Sequence, residues 1–259
     1  MSEWRAGLRA TLERGDPVVG TFVKSGDPSI AEILALAGFD LLVADLEHST
    51  LTLTDVVAIV RAAELHGVPV LVRISPADLD AAGRLLETGA VGIQVTNVAD
   101  VQTLSKIRDA TRFAPRGARS LAVSHRAASF GLLAPARYVT DAEAAVVTIA
   151  QIESRAGVAA LPALLESADG PDVWFIGPVD LANDLGHPGE QDHPDVTAVV
   201  AGVLEVLRRR SACVGVFARD AADALEWRSR GAQVILLASD VGLLAGAARA
   251  AISAIALPG

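Results

Sequence analysis

Polar and charged side chains follow several short apolar runs of this chain, and their types suit metal binding or acid–base catalysis. Carboxylates can hold a hard divalent cation, a histidine can exchange protons near neutral pH, and an arginine can stabilise an anion. Because these residues recur directly after successive apolar runs, we expect them to meet in one polar region, which we call the mouth. They are Asp45, Glu47, His48, Arg73, Gln151, Glu153, Asp180, Arg219 and Asp240.

Two of the acids, Glu153 and Asp180, could supply oxygen ligands to one divalent ion. Mg²⁺ is commonly held by one or two carboxylates, with water and substrate oxygens completing its octahedron. Mn²⁺ suits the same ligands, whereas a chain with Cys213 as its single cysteine is a poor candidate for structural zinc. The alternative is that each acid caps the helix that follows it, since helix N-termini favour carboxylates.

The basic candidates are Arg73, His48 and His125. Arg73 lies in the apolar run L-V-R-I-S, where an unpaired arginine would be costly to bury, so we expect it to face Glu47 or a ligand. His48 stands beside two acids and could act as a general base. His125 lies in an irregular stretch and is a weaker candidate for contact with a substrate.

Eight apolar runs predict the strands that must position these residues. Apolar character on both faces is typical of a parallel sheet covered by helices. The predicted strands are 18–23, 41–44, 70–72, 92–95, 145–151, 173–176, 214–217 and 234–237. The predicted helices between them are 29–37, 53–66, 77–87, 99–111, 157–167, 195–209, 221–230 and 242–255.

Eight strand–helix units in about 250 residues predict an α/β fold, a (β/α)8 TIM barrel, with residues 1–259 as a single domain. A doubly wound open sheet is the main competitor, but no G-x-G-x-x-G follows the first strand. Chemistry in such barrels sits at the C-terminal ends of the strands, where the polar candidates fall. The stretch 113–141 is expected to be a long, irregular, functional loop.

The composition predicts a soluble cytoplasmic protein. With 51% hydrophobic and 20% charged residues, the chain is not intrinsically disordered. A net charge of −9 argues against nucleic acid or an anionic membrane as a partner. The first residues carry charges where a signal peptide needs an apolar stretch. Arg249 interrupts the apolar segment 241–259, which is therefore expected to be a buried or partner-packed helix rather than a membrane span.

Five segments, in this order and spacing, resemble the HpcH/HpaI family of metal-dependent pyruvate aldolases. They run along nearly the whole chain: A-G-F-D-L-L-V-A-D-L-E-H-S (37–49), V-L-V-R (70–73), A-Q-I-E-S-R-A-G-V (150–158), F-I-G-P-V-D-L-A (175–182) and G-H-P-G-E-Q-D-H-P-D-V (186–196). Within the family, A-V-S-H-R-A-A-S-F-G (122–131) and the G-H-P-G segment are most similar to 2-dehydro-3-deoxyglucarate aldolase, and the chain is also similar to 4-hydroxy-2-oxoheptanedioate aldolase.

The resemblance implies a TIM barrel that cleaves or forms a 4-hydroxy-2-oxo acid, above all a 2-keto-3-deoxy sugar acid. The products would be pyruvate and an aldehyde, with the enolate of pyruvate as intermediate. It implies Mg²⁺ or Mn²⁺, with Co²⁺ as a further candidate, on Glu153 and Asp180. His48 matches the catalytic base, Arg73 the residue that stabilises the enolate oxygen, and Gln151 a contact to the substrate.

Further roles are implied by the same resemblance. Gly177 and Pro178 match the turn whose backbone N–H groups hold the pyruvate carboxylate. Asp45 would orient His48 or the water ligands of the metal, and Glu87 stands where the family has a catalytic Asp. Members commonly form hexamers, as trimers of dimers, with the C-terminal helix packed on a neighbour.

A Schiff-base mechanism is not expected from this sequence. Lys24 and Lys106 are the only lysines, and neither is predicted to end an inner strand in a suitable neighbourhood. Thr96, Ser120 and Val179 also depart from the family pattern, which leaves the aldehyde open. The alternatives are an oxaloacetate decarboxylase, a CoA-thioester lyase, or a non-catalytic metal-binding or assembly subunit.

Overall fold

The computed structural model describes residues 4–255, in which eight parallel strands close into a barrel. Each strand pairs with the next in sequence, and β8 closes onto β1. This confirms the predicted TIM barrel. The strands are β1 (Val18–Val23), β2 (Leu41–Asp45), β3 (Val70–Ile74), β4 (Gly92–Val95), β5 (Val147–Ile152), β6 (Val173–Ile176), β7 (Val214–Ala218) and β8 (Val234–Ser239).

Alternate residues of each strand face the barrel interior or the surrounding helices. Phe22, Leu71 and Phe175 belong to the inner cluster, whereas Val72 and Ile176 belong to the larger cluster that includes helix residues. Both faces are therefore buried. This is the physical reason why the strands read as continuous apolar runs rather than as alternating patterns.

Helices connect the strands and cover the barrel. Pro28 and Pro194 occupy the first turns of α2 and α9, where their missing N–H groups cost nothing. The helices are α1 (Trp4–Glu13), α2 (Pro28–Leu36), α3 (Leu53–Glu64), α4 (Ala82–Glu87), α5 (Val101–Thr111), α6 (Pro135–Ala145), α7 (Arg155–Glu166), α8 (Pro178–Asp184), α9 (Pro194–Arg209), α10 (Ala221–Ser229) and α11 (Asp240–Ile255).

The segment 113–141 is more regular than expected. A 3-10 helix spans Arg126–Gly131, and α6 begins at Pro135 and runs to Ala145. Pro135 starts the helix at its first turn, and the alanines that follow are strong helix formers. The expectation of a wholly irregular loop is therefore wrong, and β5 begins at Val147 rather than at Ala145.

The predicted helix 77–87 also differs from the structure. It divides into a 3-10 helix, Pro76–Ala81, and the short helix α4. At the end of the chain, α11 is the predicted apolar helix, and residues 256–259 of that segment lie outside the described residues. None of the described helices is long and apolar enough to cross a membrane.

Candidate active site

The carboxyl ends of the strands surround a cavity of about 230 Å³ at one end of the barrel. Because all eight strands run parallel, the residues that follow them meet at this end. The residues that line the cavity include Lys24, Arg73, Gln151, Gly177, Pro178 and Asp180. The sequence predicts all of these as site residues except Lys24.

Arg73 and Asp45 form a buried bidentate ion pair. Arg73 Nε donates to Asp45 Oδ1 over 2.9 Å, and Nη2 donates to Oδ2 over 2.6 Å. Glu47, one of the two partners expected for Arg73, lies farther away, at 3.7 Å from Arg73 Nε. The guanidinium also lies 4.3 Å from the centroid of the Phe22 ring. Asp45 is the partner of Arg73 because the register of β2 and β3 places these two residues side by side.

Asp45 is the anchor for the strand-end loop as well. Its Oδ1 accepts the backbone N–H groups of Glu47 and His48 over 3.1 Å each. Burial acts to raise the pKa of Asp45, but the hydrogen bonds and charge of Arg73 outweigh burial and hold that pKa below its usual value. Asp45 therefore positions His48 through its backbone rather than through its ring.

Lys24 lies directly after β1, with its Nζ 3.3 Å from Asp45 Oδ2. Lys24 does follow an inner strand, and the expectation that it lacks the neighbourhood needed for a Schiff base stays a prediction. The sequence contained the signal, since Lys24 follows the predicted strand 18–23 without a gap. Its amine is paired with a carboxylate, which is the arrangement of a charged ammonium group rather than of a free nucleophile.

Glu153 is the most perturbed acid at the mouth. Its Oε1 accepts the backbone N–H of Asn97 over 2.8 Å, and its Oε2 accepts a hydrogen bond from Gln151 Nε2. Burial raises the pKa of Glu153 to about 7, with further contributions from the charges of Asp180 and Glu47. A divalent cation bound here would relieve the repulsion between this buried carboxylate and its more exposed neighbours.

The β6–α8 turn brings Asp180 toward Glu153. A Cβ atom at Gly177 would lie 2.6 Å from Glu153 Oε2 and 2.9 Å from Gln151 Nε2, so only glycine fits there. The Gly177 N–H donates to the Ile152 carbonyl, and Pro178 has no N–H. Neither residue therefore offers a free N–H of its own, and the implied role of this turn in holding a carboxylate stays a prediction. An anion at this turn would have to meet the amides that follow Pro178.

His48 lies at the rim with 55% of its side chain exposed. Its Nε2 is 3.6 Å from Glu47 Oε2. Glu47 is itself held by the Thr96 hydroxyl, which donates to Oε1 over 2.7 Å. Thr96, one of the departures from the family pattern, thus fixes the acid beside the histidine. Sequence reasoning missed this contact because the two residues lie in the connections after different strands, β4 and β2.

Glu87 and His125 are brought together, but away from this mouth. Glu87 ends α4, just before the start of β4, and the start of a strand is the opposite end of the barrel. His125 Nε2 lies 3.8 Å from Glu87 Oε1, and its ring packs edge-on against Tyr138 at 5.3 Å between centroids. Within one chain, neither residue is positioned by the strand ends that carry Arg73 and Glu153.

A separate group of titratable side chains lies on the loop between α8 and α9. Donor atoms of His187, Glu190 and His193 lie within 4.8 Å of one another, a spacing that could hold a metal ion. The two imidazole rings stack at 3.5 Å between centroids. However, His193 Nδ1 accepts the backbone N–H of Asp195 and caps α9, so this nitrogen is already in use.

Comparisons with known proteins agree with this geometry. The HpcH/HpaI aldolase/citrate lyase family model matches residues 19–247. A hydroxypyruvate/pyruvate aldolase of Paraburkholderia phytofirmans is 34% identical, covering 97% of this chain and 98% of that protein. A 5-keto-4-deoxy-D-glucarate aldolase of Enterobacter sp. is 30% identical, covering 93% of each. A solved HpcH/HpaI aldolase/citrate lyase family protein of Burkholderia cenocepacia superposes with a TM-score of 0.89 at 33% identity, over 96% of this chain and 99% of that one.

Proposed function

The chain belongs to the HpcH/HpaI aldolase/citrate lyase family, and on that premise we propose that it cleaves or forms a 4-hydroxy-2-oxo acid. The products of cleavage would be pyruvate and an aldehyde, which makes the enzyme an aldehyde-lyase. Relatives named hydroxypyruvate/pyruvate aldolase and 5-keto-4-deoxy-D-glucarate aldolase support this class of reaction. The substrate we favour is a 2-keto-3-deoxy sugar acid.

The observation that carries the proposal is the pair Glu153 and Asp180 beside the buried Arg73. The two carboxylates would hold a divalent ion, Mg²⁺ or Mn²⁺, with Co²⁺ as a further candidate. The donor set fits, because it offers hard oxygen ligands, and because burial and then the charge of Asp180 raise the pKa of Glu153. When bound, such an ion polarises the 2-oxo group and lowers the energy of the negative charge that develops there.

Arg73 supplies the second positive charge. Retro-aldol cleavage leaves negative charge on the pyruvate oxygen at C2, and a fixed guanidinium stabilises it without having to reorganise. Asp45 holds Arg73 from one side and Phe22 packs against its face, so its position is set before the substrate arrives. Gln151, which lines the same cavity, contacts the substrate in this proposal.

His48 removes the proton of the 4-hydroxyl group in the direction of cleavage. An imidazole accepts a proton readily near pH 7. Glu47, whose Oε2 lies 3.6 Å from His48 Nε2, stabilises the imidazolium that results. The exposed ring can then release the proton to solvent. Glu87 and His125 receive no step in this scheme, because they lie away from the mouth.

Pyruvate release from a panel of 4-hydroxy-2-oxo acids tests the function, with lactate dehydrogenase as the coupled readout. We expect pyruvate only when Mg²⁺, Mn²⁺ or Co²⁺ is present. His48→Ala should remove most turnover, while His66→Ala, on an outer His66–Glu32 pair, should leave it unchanged. No pyruvate from any member of the panel, with metal binding verified by calorimetry, would contradict the proposal.

A second candidate is a related lyase that uses the same enolate chemistry. The family description includes citrate lyase, which favours oxaloacetate decarboxylation or cleavage of a CoA thioester over unrelated reactions. A CoA substrate calls for a basic surface groove, whereas the chain carries a net charge of −9. Including oxaloacetate and a CoA thioester in the panel distinguishes these reactions by their relative kcat/KM.

The assembly we propose is a homohexamer, a trimer of dimers, in the cytoplasm. The apolar face of α11 supports self-association, since Leu244, Ile252 and Ile255 are 66%, 66% and 74% exposed. The single cysteine is compatible with a reducing compartment. Partners beyond small 2-oxo acids and aldehydes are not expected.

A further inference from the structure

Three buried side chains form a hydrogen-bonded row beneath the mouth: Gln94 on β4, Gln151 on β5, and Glu153 just beyond β5. Gln94 Nε2 donates to Gln151 Oε1 over 2.8 Å, and Gln151 Nε2 donates to Glu153 Oε2. Their exposed fractions are 0%, 3% and 8%. The row therefore connects a side chain of the barrel interior with one of the two proposed cation ligands.

The direction of the row is what matters for Glu153. The terminal amide of Gln151 could present either its oxygen or its nitrogen to the carboxylate. With the oxygen forward, two acceptors would face each other; with the nitrogen forward, the amide donates a hydrogen bond. Because Gln94 Nε2 occupies Gln151 Oε1, the nitrogen of Gln151 is the atom left for Glu153.

The surrounding groups make the row rigid. Glu153 Oε1 accepts the backbone N–H of Asn97. A second hydrogen bond, accepted by Oε2, therefore stops the carboxylate from rotating. The β6–α8 turn presses on the same atoms, since a Cβ at Gly177 would come within 2.9 Å of Gln151 Nε2. Only one orientation of Gln151 therefore satisfies its neighbours on both sides.

The side chain of Gln94 lowers the stability of the fold at this position. Its Oε1 is buried and accepts no hydrogen bond from the described residues. Of the interior positions beside it, Leu71 and Ile149 are apolar, and Arg73, its register partner on β3, is already held by Asp45. A buried acceptor without a partner destabilises the fold, and an apolar side chain of the same length would not. The benefit of Gln94 must therefore lie in what its amide nitrogen does.

We propose that Gln94 is a positioning residue of the cation site, which holds Glu153 in its ligating orientation by fixing the amide of Gln151. This inference rests on the proposed function, because it assigns Gln94 to the same metal-dependent site. It predicts that replacing Gln94 by an apolar residue of similar length weakens metal binding without weakening the fold.

The test compares Gln94→Met with Thr21→Val. Thr21 is a matched control, because it is also fully buried in a strand and its Oγ1 also has no partner among the described residues. Thr21 lies on β1, two residues before Val23 and on the same helix-facing side. For each variant, the midpoint of thermal unfolding, the Kd for Mn²⁺ by calorimetry, and kcat and KM for pyruvate release are measured.

Both variants are expected to unfold at the same temperature as the natural chain or higher. Only Gln94→Met should raise the Kd for Mn²⁺, by about 10–100-fold, which is the usual effect of removing a group that orients a metal ligand. Its kcat should recover as the Mn²⁺ concentration is raised. A purely structural role would instead lower the unfolding midpoint and leave the Kd of the folded protein unchanged.

Three outcomes would overturn the inference. The first is a Gln94→Met protein with an unchanged Kd for Mn²⁺ and unchanged kinetics while the natural chain is active. The second is loss of folding in both Gln94→Met and Gln94→Leu, which would make Gln94 a residue needed for structure. The third is a natural chain that neither binds Mn²⁺ nor releases pyruvate, which would overturn the proposed function as well.

Discussion

At the scale of single residues, Arg73 shows how a charge is kept inside the barrel. Asp45 is fully buried, and it meets the guanidinium with both oxygens, at 2.9 and 2.6 Å. A buried pair of this kind adds little net stability over an apolar replacement. Removing Arg73 alone is costly, because the buried Asp45 loses both of its short hydrogen bonds to the guanidinium and keeps Lys24 as its cationic partner, at the longer distance of 3.3 Å.

We therefore expect Arg73→Met to lower the free energy of unfolding by about 3–5 kcal/mol. Urea denaturation at pH 7 measures this, and Arg208→Met is the control. Arg208 forms an exposed pair with Glu205 on α9, so its loss should cost at most about 1 kcal/mol. The double variant Arg73→Met with Asp45→Asn should recover part of the loss. Equal stability of the Arg73 and Arg208 variants would contradict the expected effect.

The same pair gives a pH dependence with a definite sign. The pKa of Asp45 in the folded protein lies below its ordinary value of 3.8. Its contribution to stability is therefore present above pH 3.8 and is lost as the pH falls through the folded pKa. The difference between the natural chain and Arg73→Met should shrink over that acidic range.

Cys213 provides a second prediction at this scale. Burial, with a smaller contribution from the charge of Asp172, raises the pKa of the Cys213 thiol to about 12. The native thiol should therefore react slowly with iodoacetamide at pH 9, whereas urea-unfolded chain should react quickly. The associated stability is present below pH 9.0, the ordinary value, and is lost as the pH rises toward 12. Equal rates in the native and unfolded states would refute the raised pKa.

At the scale of elements, the β6–α8 turn shows why a short connection can decide a site. The turn must pass close enough to Glu153 and Gln151 to bring Asp180 to the mouth. Only a residue without a Cβ atom allows that approach, since the nearest carboxylate oxygen would lie 2.6 Å from the added carbon. The close approach of the turn at Gly177 and the placement of Asp180 at the mouth therefore depend on each other.

Gly177→Ala tests this constraint. We expect pyruvate release to fall by about 10–100-fold, the usual effect of displacing a group that supports a metal ligand. Gly202→Ala on α9 is the matched control, because nothing lies within 4 Å of its added Cβ. Helix propensity predicts that this control is neutral or stabilised by about 0.5–1 kcal/mol. Full activity in Gly177→Ala would show that the turn tolerates the shift.

At the scale of the whole molecule, α11 presents an apolar stripe to the outside. Val241, Leu244, Ile252 and Ile255 recur at helical spacing, and all are exposed in the single chain. Large exposed apolar patches mark association surfaces in proteins of this type. The stripe is the physical basis for the proposed homo-oligomer.

The double variant Leu244→Glu with Ile252→Glu should reduce the molecular mass in solution, because charges on the stripe oppose its burial. Light scattering after size-exclusion chromatography measures the mass. Leu225→Glu is the control, since Leu225 is equally exposed but lies on α10, away from the stripe. A natural chain that is already monomeric would contradict the proposed assembly.

The sequence by itself determined the barrel and most of the mouth. Strands buried on both faces read as apolar runs, and parallel strands bring the residues that follow them to one end. For this reason the sequence alone predicts that Glu153, Asp180 and Arg73 lie at the same end of the barrel. The regular helix in 135–145 was missed because the signals of loop and helix overlap there, in a segment rich in both proline and alanine.

Only the tertiary structure decided which side chains face each other. The choice of Asp45 over Glu47 as partner of Arg73 depends on strand register. The separation of Glu87 from the mouth depends on which end of the barrel a helix reaches. Such contacts join residues far apart in the chain, and local patterns carry no information about distances between them. The sequence thus specifies the groups at the strand ends, and the closed barrel specifies their pairs.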